Sequence, residues 1–141
     1  MNIYFACSIT GGRAFESVYQ EFTRILLADK HEVPTAHLAE SNVMALEKVI
    51  DPRDVYNRDV AWIQACDALI AEVSVPSHGV GYEIGFALEQ DKPVLCLAQA
   101  GLAVSKMLTG NPHPALQVKT YRDVTEGIAI IREFLSDIIC E

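Results

Sequence analysis

Two acids, Asp59 and Glu83, stand where an idle acid would be costly. If 55–66 is helical, Val55, Trp62, Ile63 and Cys66 form its inner face. Asp59 is then four residues beyond Val55 and four before Ile63, on that same stripe. A carboxylate on an apolar face destabilises the fold unless it is partnered or working. On the same reading Asp54 and Arg58 face solvent. Glu83 closes the stretch Ser77-His78-Gly79-Val80-Gly81-Tyr82-Glu83, which follows an apolar run and opens a helix. Its expected place is the first helical turn, where the helix dipole favours a carboxylate. There it reads either as a capping glutamate or as an ionised nucleophile or base beside a ligand. If both acids reach one cleft, the pair suits cleavage of a glycosidic bond, one acid as nucleophile and the other as proton donor. Tyr4, in an apolar run, reads as a core residue whose hydroxyl needs a partner, and a carboxylate is a good one.

A second loop, Ser8-Ile9-Thr10-Gly11-Gly12-Arg13, follows an apolar run and precedes a helical pattern. Two glycines permit close backbone approach, and a helix N-terminus offers free N–H groups to an anion. Ser8 and Thr10 add hydroxyls and Arg13 a fork-shaped cation. The same residues also suit an ordinary tight strand–helix turn, since neither a Walker loop nor Gly-x-Gly-x-x-Gly is present. His37 reads as structural or as a ligand contact. His78 and His113 lack metal-ligand spacing, no His/Cys/Asp constellation argues for a metal, and no cofactor is implied. Gly-x-Ser-x-Gly is absent, which argues against a serine hydrolase.

The elements that must position these residues follow from hydrophobic periodicity. Apolar runs at 2–7 and 67–75 read as buried strands, 93–98 and 116–121 as two further strands, and 32–37 as a weaker fifth. Helical spacing marks 15–28, 52–65, 80–90, 102–108 and, capped by Asp123, a last helix to about 139, while 38–50 is ambiguous. The alternation predicts one α/β domain over 1–141, a Rossmann- or flavodoxin-like three-layer sandwich around a five-stranded parallel sheet. Ligands of such sheets bind beyond the carboxyl ends of the strands, which selects the loops at 8–13, 74–81 and 99–105.

The chain has 141 residues, half of them hydrophobic and 21% charged, which excludes disorder. Its net charge of −8 argues against a sequence-blind grip on nucleic acid and against anionic membrane surfaces. No run approaches the roughly 20 apolar residues that span a bilayer. Met1-Asn2-Ile3-Tyr4-Phe5 lacks a basic region and a signal-type core, so a cytoplasmic location is expected. The four cysteines form no Cys-x-x-Cys pair and read as reduced thiols.

Taken together, the stretches at 3–13, 58–67, 71–85 and 92–97 resemble the nucleoside 2-deoxyribosyltransferase superfamily, and in particular its nucleoside 5′-monophosphate N-glycosidase branch. The resemblance runs from Ile3 to about Tyr121, and Gly79-Val80-Gly81-Tyr82-Glu83 is its most specific part. It implies that Glu83 is the nucleophile at the anomeric carbon and that Asp59 is the acid assisting the leaving base and then the base activating water. Tyr4 matches the tyrosine that, in the family, orients the nucleophile near the sugar. Ser8, Gly12, Arg13 and Ser77 match positions around the 5′-phosphate, with Ile9 and Gly79 of the same loops among the substrate-binding residues. His37 matches a histidine near the base, and Ser105 a serine reaching a neighbouring subunit's phosphate. Thr10 departs from the arginine of mammalian-type members, and His78 from a leucine.

The expected activity is hydrolysis of a nucleotide's N-glycosidic bond. The alternatives are base exchange between deoxynucleosides and non-catalytic nucleotide binding. A homodimer is expected as well. The last helix carries Ile128, Ile130, Ile131, Phe134, Leu135, Ile138 and Ile139, more apolar positions than one stripe onto a sheet needs.

Overall fold

The computed structural model describes residues 1–10 and 13–140. Four strands, β1 (Ile3–Ala6), β2 (Ala68–Glu72), β3 (Val94–Gln99) and β4 (Leu116–Tyr121), form one parallel sheet in the order β1-β2-β3-β4. The helices are α1 (Glu16–Ala28), α2 (Val43–Glu47), α3 (Pro52–Ala65), α4 (His78–Glu89), α5 (Lys106–Thr109) and α6 (Val124–Cys140), with a 3-10 turn at Ala36–Ala39.

Pleating divides each strand between two cores. Ile3 and Phe5 of β1 and Ile70 of β2 pack beneath α1 and α6 with Phe22, Ile131 and Phe134. Tyr4, Ala6, Leu69 and Ala71 face the other way, onto Ile63 of α3 and Val80 and Ile84 of α4. Helices on both faces explain why β1 and β2 are buried along their whole length, as strands of a covered parallel sheet must be.

Among the described residues the sheet has four strands rather than the expected five. At 32–37 the pairing stops after one parallel bridge, Asn2 to Glu32. Pro34 has no N–H to continue a ladder. Thr35 takes over instead: the Phe5 N–H donates to its side-chain oxygen at 2.9 Å, and the chain then turns into the 3-10 segment. From β1 the chain first touches this edge and then crosses to β2 on the other side. The reversal of direction lies at β1, so the cleft opens beyond its carboxyl end.

Behind that edge a buried polar knot ties the strand ends together. Glu72 accepts from the Tyr121 hydroxyl at 2.9 Å and from the Ser74 hydroxyl, and the Gln99 N–H donates to Ser74 Oγ at 2.8 Å. Burial pushes the Glu72 carboxyl above its ordinary value.

The long last helix absorbs its apolar surplus internally. Ile131, Phe134 and Leu135 are buried, and Ile128, Ile130 and Ile138 pack against the same core, leaving Ile139 exposed. Large exposed apolar side chains lie instead on α3 and α4, at Tyr56 and Tyr82, and at Leu102 and Met107. Gly127 lets α6 approach α1 closely: a Cβ there would sit 2.6 Å from Phe22 Cζ. Gly127→Ala is therefore expected to destabilise by about 1–3 kcal/mol through overpacking, read as a lower midpoint in urea with an unchanged slope. An unaltered midpoint would show that Phe22 swings aside without cost.

Candidate active site

The sheet register sets the site. Tyr4 lies opposite Leu69 in the middle of the β1–β2 pair and projects toward α4, where its hydroxyl donates to Glu83 Oε1 at 2.8 Å. Seventy-nine residues separate the partners. Burial and the neighbouring acids raise the Tyr4 phenol far above its ordinary range, so it stays protonated and donates.

Glu83 lies in the second turn of α4, not the first. The helix begins at His78, with Ser77 as its N-cap: Ser77 Oγ accepts from the Val80 N–H at 3.3 Å. Capping is thus done by Ser77, and the capping reading of Glu83 falls away. Burial pushes the Glu83 carboxyl up to about 7 against the Tyr4 hydrogen bond, which lowers it; Asp59 raises it further and Arg58 lowers it.

Asp59 occupies the inner stripe of α3 as its spacing required, with Ile63 buried below it. The helix starts where Asp51 and Pro52 dictate: Asp51 Oδ1 accepts from the Arg53 N–H at 2.8 Å, and Pro52 takes the first turn. Burial raises the Asp59 carboxyl, and a hydrogen bond from Arg58 opposes that rise. Asp59 and Glu83 both line one cavity of about 240 Å³, with Tyr56, Tyr82 and Gly79 at its rim. The two acids thus meet at one cavity from α3 and α4, and Tyr4 of β1, itself buried, holds Glu83 there.

Arg58 does not face solvent. Its Nε donates to Asp59 Oδ1 at 2.8 Å, and Nη1 and Nη2 donate to the Glu47 carboxylate at 3.1 and 3.3 Å. His37 Nε2 lies 3.2 Å from Glu47 Oε1, and its ring meets Trp62 edge-on at 5.9 Å. His37 thus reaches Asp59 only through Glu47 and Arg58, two residues that sequence reasoning missed. Sequence held one signal for Arg58, its place next to an inward-facing acid. It held none for Glu47, which lies in the ambiguous stretch.

The expected phosphate contacts divide. Arg13 donates through Nε to Glu16, and through Nη1 and Nη2 to the backbone carbonyls of Ser8, Leu38, Ala39 and Glu40. The guanidinium pins the first loop to the 3-10 turn instead of presenting free donors. Ser8 is buried, and its Oγ has no hydrogen-bond partner among the described residues. Ile9 packs against the α1–α6 core. Gly12 lies outside the described residues. Ser77 lines a second cavity, of about 510 Å³, together with His78 and Ser105. Ser105 caps α5, accepting from the Met107 N–H at 3.2 Å, and within one chain it does not line the cavity of the two carboxylates. Among the described residues no three His, Cys, Asp or Glu side chains gather as metal ligands, and no helix is long and apolar enough to cross a membrane.

This arrangement matches a known family. The family model described as nucleoside 2-deoxyribosyltransferase covers residues 3–118. The chain belongs to this family. Within it, a Methanosarcina mazei protein provisionally named 2′-deoxynucleoside 5′-phosphate N-hydrolase 1 is 39% identical over 134 residues, 95% of this chain and 83% of that one. A Danio rerio protein named 5-hydroxymethyl-dUMP N-hydrolase is 36% identical over 127 residues, 87% of this chain and 88% of its own. In fold, the chain is similar to the CMP N-glycosidase BcmB of Clostridium botulinum, with a TM-score of 0.72 at 19% identity, covering 94% of this chain and 98% of that one. The solution structure of BlsM gives a TM-score of 0.77, also at 19% identity, covering 98% and 91%. Both likenesses place this deoxyribosyltransferase-family chain among Rossmann-like α/β folds.

Proposed function

We propose that this chain hydrolyses the N-glycosidic bond of (2′-deoxy)nucleoside 5′-monophosphates, releasing free base and sugar 5-phosphate. The observation that carries the reading is the Tyr4–Glu83 hydrogen bond of 2.8 Å at a cavity that Asp59 also lines. In the first step a Glu83 carboxylate oxygen forms a bond to C1′ as the C1′–N bond breaks. The electron pair of that bond leaves with the base, and Asp59 supplies the proton the base needs. In the second step Asp59, now a carboxylate, takes a proton from water. The water oxygen bonds to C1′, and the C1′–Oε bond breaks to regenerate Glu83. Tyr4 holds Glu83 with one oxygen engaged and the other open to the sugar. The names of the 35–40% identical relatives support nucleotide hydrolysis over base exchange.

The 5′-phosphate is assigned to the strand-end loops. Ser8, whose hydroxyl has no partner among the described residues, and the start of α4 at Ser77 and Gly79 supply donors, and the α4 N-terminus favours an anion. Arg13 acts there by fixing the loop, and His37 stands on the base side, joined to Asp59 through Glu47 and Arg58. A phosphate held away from the reacting carbon contributes binding energy that can be used at the sugar. Incubation with dGMP, dCMP, GMP and CMP, each beside its nucleoside, is scored by free base. The expected result is base and sugar phosphate from at least one nucleotide, with kcat/KM on the order of 100-fold below it for the matching nucleoside. Equal values for nucleotide and nucleoside would overturn the phosphate assignment. Base exchange without hydrolysis would turn the reading to the transferase.

A two-fold homodimer is part of the proposal, with Ser105 serving the neighbouring site. Exposed Tyr56 and Tyr82 on α3 and α4 support that face as the contact. Where Ser105→Ala is itself severely impaired, mixing it with Glu83→Ala is expected to restore activity, because mixed dimers hold one intact composite site. A fully active monomer by light scattering would remove the shared site.

A further inference from the structure

Asp59 is held by its own chain neighbour. Adjacent helical residues point about 100° apart, so Arg58 should lead away from the acid on the inner stripe. Its far end turns it back. The two terminal nitrogens grip Glu47 of α2, and the guanidinium lies over the Trp62 ring at 4.9 Å. Glu47 is itself met by His37. The side chains of Arg58, Asp59 and Glu47 keep only 22%, 16% and 14% of their exposure, so the chain of charges is shielded from solvent and has more effect than a surface pair. The contact to Asp59 uses Oδ1, leaving Oδ2 as the oxygen to carry a proton.

We propose that Arg58 is the positioning residue for Asp59, clamped from the other side by Glu47, and that it fixes which Asp59 oxygen is offered to the leaving base. This rests on the reading of Asp59 as the acid. The charged and titratable groups around Asp59 are Arg58 of α3, Glu47 of α2, His37 of the 3-10 turn, Glu83 of α4 and Tyr4 of β1. Burial raises the Asp59 carboxyl, Arg58 lowers it, Glu47 raises it and His37 lowers it. Removing the cation and removing its clamp must therefore move Asp59 in opposite directions, and a positioning role adds a loss of kcat at the variant's own optimum that a merely structural ion pair would not cause.

The test uses Arg58→Gln, Arg58→Lys and Glu47→Gln, with Asp59 titrated in the free protein by carbon-13 NMR of the carboxyl and base release measured against pH. The Asp59 midpoint is expected to rise in Arg58→Gln, to rise less in Arg58→Lys, which keeps the charge, and to fall in Glu47→Gln. The acid limb of kcat/KM follows the same directions. At its own optimum Arg58→Gln loses kcat on the order of 100-fold with KM little changed, as expected for a misplaced acid, and Arg58→Lys recovers part of it. An unmoved midpoint, or the same direction in Arg58→Gln and Glu47→Gln, overturns the proposal. If Arg58→Gln fails to fold, Arg58→Lys and Glu47→Gln still give opposed shifts or do not. Midpoints that move as stated in a protein that releases no base from any nucleotide would leave Arg58 and Glu47 setting the Asp59 carboxyl but would end the hydrolase reading, and with it any role of Arg58 toward a leaving base.

Discussion

Glu83→Ala is expected to lower base release on the order of 10³-fold or more, in a protein that remains folded. Among the described residues no other carboxylate is hydrogen-bonded to the Tyr4 hydroxyl, and the covalent nucleophile of the proposed mechanism has no substitute. Stability should move the other way from activity. The folded state holds the Glu83 carboxyl up at about 7, above its ordinary value of 4.5, chiefly through burial. The folded protein therefore binds this proton more tightly than the unfolded chain. Glu83's contribution to stability is fully present below about 4.5 and declines as pH rises through about 7. Glu83→Gln keeps the acceptor for Tyr4 without the charge, so at pH 8 it is expected to melt above wild type while remaining inactive. A variant retaining more than about a tenth of the wild-type rate would remove Glu83 from the nucleophile's place. An inactive variant that also melts lower at pH 8 would contradict the buried-charge account.

Asp59→Asn is expected to cost about 10²- to 10⁴-fold in kcat with little change in stability, the range of a lost general acid. Its pH profile distinguishes this cause from misfolding. On the proposed mechanism the pair Asp59 and Glu83 is productive with one proton, so kcat/KM is expected to fall as that proton leaves, above about 7. In Asp59→Asn one titrating acid remains, and it works only when ionised. The residual rate should then rise with pH through the Glu83 midpoint. That midpoint should lie below the wild-type value, because the Asp59 charge that raises Glu83 is gone. A variant profile that still falls above about 7 would show that the alkaline limb belongs to another group.

Local periodicity, by itself, determined much of this protein. The runs around Tyr4, Ile70 and Leu95 marked parallel strands, because a strand covered on both faces is apolar almost throughout, while β4 at the sheet edge keeps polar Gln117, Lys119 and Thr120. Spacing of four residues put Asp59 on the inner face of α3, and Asp51-Pro52 marked where that helix starts. The Gly-Val-Gly-Tyr-Glu stretch and its companions carried the family, which the match over residues 3–118 bears out. Periodicity reads neighbours three and four positions apart, and those facts needed nothing more.

The tertiary structure decided what depends on which segments meet. The pairing of Tyr4 with Glu83 comes from the β1–β2 register and the seating of α4, neither written in the residues around either partner. The fifth strand stopped because Thr35, past Pro34, took the Phe5 N–H that a ladder would have used. Arg13 became a loop clasp because four carbonyls and Glu16 surround it, and Arg58 turned inward because α2 brings Glu47 within reach. A long cationic side chain follows its strongest available acceptors, and those lie up to 27 residues away for Arg13 and 11 for Arg58, so helical spacing alone pointed Arg58 the wrong way.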